Sequence, residues 1–116
     1  MIDPQTLTKA ERLEVSRRRA GLTQRQAADL FGWPFSTYKR AEKGELETDG
    51  AWPAPPVGEL TAAEACRVWR RREGLTMLEL EGLTGLKAKW IHRAERGETS
   101  SVEALLVFWR RRLAPA

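Results

Sequence analysis

Apolar positions along the chain fall at helical intervals. Cys66 and Trp69, like Leu106 and Trp109, stand three residues apart, which puts each pair on one packed helix face. No segment keeps the period-two alternation of a half-buried strand. Polar residues punctuate the helical stretches. Thr8-x-x-Glu11, Thr23-x-x-Gln26, Thr61-x-x-Glu64, Thr76-x-x-Glu79 and Ser100-x-x-Glu103 each fit a capping box. In that motif the hydroxyl accepts from the third helical amide while the Glu or Gln reaches back to the cap amide. Gly21 and Gly74 follow arginine triplets, where a left-handed residue ends a helix and the cations suit the dipole. Gly32 and Gly85 sit where a tight turn is needed, and Gly44 and Gly97 end the next helix. These signals predict an all-α chain of seven helices, at about 8–20, 24–31, 35–43, 61–73, 77–83, 87–96 and 101–113.

The chain also repeats itself. Residues 7–45 align without gaps on residues 60–98, and 18 of the 39 aligned positions are identical. The shared skeleton includes Leu7/Leu60, Thr8/Thr61, Glu11/Glu64, the Arg triplets at 17–19 and 70–72, Gly-Leu-Thr at 21–23 and 74–76, and Arg-Ala-Glu at 40–42 and 93–95. Unrelated segments of this length would share only a few residues, so the chain carries a duplication. A partial third copy closes it: Thr61–Arg72 and Ser101–Arg112 both end in Trp-Arg-Arg-Arg. The expected organisation is a first unit at 1–46, a Pro/Gly-rich linker at 47–58, and a second unit with a closing helix at 59–116. Within the repeat, Arg17, Arg70 and Arg110 are expected to brace their units by charge pairs. Trp33, Trp69, Trp109 and Cys66 are expected in the cores.

Charge narrows the class of partner. The 116 residues carry 20 Lys+Arg against 16 Asp+Glu, a net charge of +4, with a pI near 9.7. Fifteen of the cations are Arg, whose planar fork suits phosphate and guanine. A basic domain of this kind fits a polyanion. One cysteine and one histidine, Cys66 and His92, provide neither a disulfide nor a thiolate zinc cage nor a His pair. No apolar run approaches the roughly 20 residues of a membrane span, and no secretory leader is legible. No nucleophile–base pair, acidic metal cluster or Gly-rich phosphate loop can be found. The expectation is therefore a non-enzyme without cofactor or metal, away from membranes, in the cytoplasm.

Residues 17–44 carry a more specific signal. Arg17, Gly21-Leu22-Thr23-Gln24, Ala28, Leu30, Gly32, Arg40, Glu42 and Gly44 follow one spacing, and much of it recurs in the second unit. This pattern resembles the Cro/repressor-type (Xre) helix-turn-helix family. The resemblance implies two tandem lambda-repressor-like helix-turn-helix units plus a C-terminal closing helix. It implies that the 35–43 helix enters the DNA major groove. Carried onto matching positions, Phe35, Ser36, Thr37, Lys39, Arg40 and Lys43 would face base edges or phosphates, and Gln24 would touch the backbone. Phe35 stands where polar readers are common, and would meet a thymine methyl or a sugar. Ala28 is the small residue that lets the two helices approach, and Tyr38 takes a buried site more often filled by Ile or Val. The second unit departs further. Met77 replaces Gln24, and Glu81 replaces Ala28, where a long acid strains the helix pair or needs a partner. Lys87, Lys89, Trp90, His92 and Arg93 form its second candidate DNA-binding set.

The family resemblance thus implies a sequence-specific transcriptional regulator of bacterial, phage or mobile-element genes, a repressor in the simplest case, associated with the nucleoid. Its partner would be double-stranded DNA, bound by one chain with two heads or by a homodimer. The alternative is a protein-binding helix-turn-helix module, antiactivator-like or antitoxin-like, that sequesters a protein partner through the second unit.

Overall fold

Local sequence accounts for where each helix starts. The computed structural model describes residues 7–45, 57–99 and 101–113. Helix α1 (Lys9–Arg19) begins at Thr8, whose hydroxyl accepts from the Glu11 amide at 3.1 Å while the Glu11 carboxylate accepts from the Thr8 amide at 2.9 Å. The same reciprocal box opens α2 (Gln24–Phe31) at Thr23 and Gln26. It recurs at the start of α4 (Ala62–Arg72) and α5 (Met77–Thr84). Helices α3 (Phe35–Lys43) and α6 (Ala88–Glu95) instead follow Pro34 and Lys87, which give no side-chain cap bond. Helix α7 (Ser101–Leu113) completes an all-helical set, and its expected cap, Ser100, lies outside the described residues. All seven expected helices are present, and no strand occurs among the described residues.

The chain divides into two compact units, Ile2–Glu59 and Leu60–Ala116. In the first unit α3 packs on both α1 and α2. The α2–α3 turn needs its glycine: Gly32 has a φ of +69°, a region other residues avoid. There the Trp33 amide donates back to the Ala28 carbonyl at 2.9 Å, closing the end of α2. The core consists of Leu13, Ala27, Ala28, Tyr38 and Ala41, with Leu22, Phe31 and Trp33 against it. Its bulk comes from an aromatic trio. Ring centroids are 5.4 Å apart for Phe31 and Trp33, 5.7 Å for Phe31 and Tyr38, and 6.4 Å for Trp33 and Tyr38. Arg19 of α1 ties down the end of the expected linker by donating to the carbonyls of Val57 and Glu59. The remainder of that linker, residues 47–56, lies outside the described residues.

The second unit fills the same kind of core by another route. Where the first has Phe31, Trp33 and Tyr38, the second has the smaller Thr84, Leu86 and Ile91. The missing volume comes from α7, which packs on α4 and α6 and contributes Leu105, Leu106 and Trp109. Trp109 and Cys66 are fully buried, and Trp69 lies partly buried with its ring centroid 6.2 Å from that of Trp109. Burying an indole of this size stabilises by about 2 kcal/mol or more. The expectation of a charge brace at Arg110 is not met: Arg110 is exposed, and α7 pairs instead through Arg112, whose Nε lies 2.6 Å from Glu73 Oε1. No helix follows α7 among the described residues to supply the glutamate that Arg17 and Arg70 find.

Candidate nucleic-acid interface

Helix α3 is split lengthwise by burial. Tyr38, Ala41 and Glu42 turn inward. Ser36, Lys39, Arg40 and Lys43 are exposed on the opposite face, with Phe35 and Thr37 half-buried beside them. The buried stripe is fixed by a charge pair. Arg17 of α1 donates from Nε to Glu42 Oε2 at 2.6 Å and from Nη2 to Oε1 at 3.3 Å, and its Nη1 donates to the Leu22 carbonyl at 2.9 Å. One guanidinium thereby joins α1, the α1–α2 turn and α3. A forked pair of this kind orients as well as attracts. Gln24, expected on a DNA backbone, donates from Nε2 to Glu42 Oε1 at 3.0 Å. It is half-buried and held to α3, with a second amide hydrogen and its carbonyl left for other contacts.

Phe35 has a role that the sequence did not suggest. The Arg25 guanidinium carbon lies 4.2 Å from its ring centroid, and the Lys39 ammonium 5.3 Å from it. The ring therefore gathers a cation from α2 and one from α3 onto one surface, each attracted by its quadrupole. Arg25 was missing from the candidate set, and it is exposed. A signal did exist: Arg25 follows the α2 cap directly and Phe35 opens α3, so a tight helix pair brings them together. Tyr38, by contrast, is fully buried, and no hydrogen-bond partner for its hydroxyl is found among the described residues. Burial and the neighbouring Glu42 charge push its ionisation far above the ordinary phenol range, so it stays neutral.

The second unit keeps the frame and changes the surface. Arg70 repeats Arg17, donating to Glu95 at 2.7 and 3.0 Å and to the Leu75 carbonyl at 3.0 Å. Gln24 has no counterpart: Met77 packs against the core, and Arg67 approaches Glu95 at 3.6 Å instead. On α6, Ile91, Ala94 and Glu95 are buried, while Lys89, Trp90, His92 and Arg93 are exposed, as is Lys87 before it. Trp90 carries Lys89 and Arg93 over its ring at 5.4 and 5.1 Å. Glu81 finds its partner at the start of this helix, where its Oε1 accepts from the Ala88 amide at 3.1 Å. Leu78, in the place of Arg25, is 72% exposed.

Among the described residues no group of three or more His, Cys, Asp or Glu stands together, and no helix is long and apolar enough to cross a membrane. Comparison with protein-family models, with curated proteins and with solved structures gives no match to the chain.

Proposed function

We propose that the first unit is a sequence-specific reader of double-stranded DNA, using α3 in the major groove, and that the chain is a tandem member of the Cro/repressor-type helix-turn-helix family. The observation that carries this reading is the exposed face of α3. Ser36, Lys39, Arg40 and Lys43 project from a helix whose other side is locked by the Arg17–Glu42 pair, with Arg25 brought alongside over Phe35. Rigid support and a convergent cationic surface are what groove reading requires: arginine forks onto guanine while lysines and helix amides meet phosphate. Repression by occluding polymerase is the simplest mechanism for such a reader, and bacterial, phage or mobile-element genes are its natural targets. The bland reading of the same helices is a structural hairpin with a solvated basic face. A titration of a fluorescent duplex across a salt series separates them. The reader binds, its log affinity falls linearly with log salt, and Arg40→Ala with Lys43→Ala weakens it. Absence of binding, or binding indifferent to salt, contradicts the proposal.

One observation favours a second reading, a protein-contact role for the second unit. Leu78 and Trp90 are exposed on the α5–α6 face, where the first unit has Arg25 and Thr37. Large exposed apolar residues at matched positions mark contact surfaces. Retention of a protein by the wild-type chain but not by Leu78→Ser/Trp90→Ser is the outcome this role requires.

A further inference from the structure

The two units differ most at the start of the helix that carries their exposed cations. In the first, Ala28 is buried between α2 and α3, and Pro34 gives α3 no side-chain cap. The first-turn amides of α3 thus have no acceptor within their own helix. In the second, Glu81 stands in the place of Ala28, and its carboxylate accepts from the first amide of α6, that of Ala88, at 3.1 Å. A carboxylate there takes the position at which the positive end of a helix would meet a phosphate oxygen. The preceding turn is rebuilt with it. In the first unit the Trp33 amide donates to the Ala28 carbonyl, whereas in the second the Leu86 amide donates to Thr84 Oγ1 at 3.1 Å.

Two exchanges on α5 act in the same direction. The polar Gln24 becomes Met77, turned to the core, and the cationic Arg25 becomes the exposed Leu78. Yet Lys87, Lys89, Arg93 and Arg96 all remain exposed. The second motif therefore keeps cations along α6 and places an anion at its entrance. We infer that Glu81 is a specificity-determining residue that closes the second motif to nucleic-acid phosphate from within, so that a chain engages duplex DNA through its first unit alone. The inference rests on the reading of the first unit as a DNA reader.

The test uses the full chain and a fluorescein-labelled mixed-sequence duplex. Glu81→Gln removes the charge and keeps an oxygen that can accept from Ala88. It is placed in an Arg40→Ala/Lys43→Ala background, which strips the first unit of two cations. The inference expects the double variant to lose about tenfold or more in affinity, since an arginine–base contact and a phosphate contact go together. The triple variant regains a measurable part of that loss, with a log–log salt slope steeper by about 0.9 for each phosphate recovered. Adding Lys89→Ala/Arg93→Ala abolishes the gain, a result that a merely structural role for Glu81 would not produce. If the triple variant keeps its helical circular dichroism and binds no better than the double, the inference is overturned while the DNA reading stands. If Glu81→Gln loses helix, Lys89→Ala/Arg93→Ala in the otherwise wild-type chain decides. Unchanged affinity supports the inference, and a loss equal to that of Arg40→Ala/Lys43→Ala overturns it. A wild-type chain that binds no duplex overturns the DNA reading and the inference together.

Discussion

Arg17 and Glu42 lie 25 residues apart in sequence and meet at 2.6 Å, with the Glu42 side chain 1% exposed and that of Arg17 13%. The second unit repeats the contact at 2.7 Å between Arg70 and Glu95. Such a pair locks helix orientation more than it adds net stability, because each charge gave up water to enter. Removing one member is another matter, since it leaves a buried charge without compensation. Arg17→Ala is expected to cost about 3–5 kcal/mol in urea unfolding. The apolar exchange Arg17→Met/Glu42→Leu should cost much less. Equal losses from the single and double variants would show that the pair is not the source of the effect.

Much of this frame was legible beforehand, and the reason is local. Capping boxes and left-handed glycines act over three to five residues, so Thr8–Glu11 or Gly32 announce themselves in one sequence. The duplication then aligned Arg17 with Arg70 and pointed to a bracing role. Long-range geometry was less visible. Nothing local places Arg25 over Phe35, or tells that Gln24 is held by Glu42. Nor does sequence reveal that Glu81 reaches across a turn to Ala88 rather than straining the helix pair. The same limit applied to Arg110, where the triplet suggested a brace that Arg112 makes instead with Glu73.

Trp109 replaces the volume that the first unit draws from its aromatic trio. It is fully exposed to none of the solvent and sits among Cys66, Leu80, Ile91 and Leu105. Trp109→Ala should therefore destabilise the chain by about 3–5 kcal/mol. Trp69→Ala, at a partly buried neighbour, should cost less. Calorimetric scans of both variants check the order, and a larger loss from Trp69→Ala would contradict the packing described.

Cys66 is fully buried, and burial pushes its thiol up from 9.0 to about 12, with the charges of Glu95 and Glu103 adding to the rise. The folded state thus holds this proton to higher pH than the unfolded state does. Its contribution to stability is full below about pH 9 and declines as pH rises from 9 towards 12. At neutral pH the native thiol should resist iodoacetamide and react only as the chain unfolds. Rapid labelling of folded protein, without dependence on urea, would refute this.

Arg25 and Phe35 give a prediction specific to the reading surface. Phe35→Leu keeps an apolar side chain but removes the ring that gathers Arg25 and Lys39. Losing cation–π contacts worth about 0.5–1 kcal/mol each at exposed sites should weaken duplex binding a few-fold. Arg25→Ala should then add little in that background. Fully additive losses would place the two residues in separate roles.

Arg40→Ala should weaken specific binding by about 1–3 kcal/mol, the worth of a base-contacting arginine. Arg93→Ala should change it little. Equal losses in parallel titrations would mean that both motifs read DNA.

The most direct test of the central claim is selection of bound sites by the full chain from a random duplex library at near-physiological salt. The account predicts an enriched sequence motif that Arg40→Ala fails to enrich and Arg93→Ala still does. A folded, helical protein that enriches nothing would contradict it.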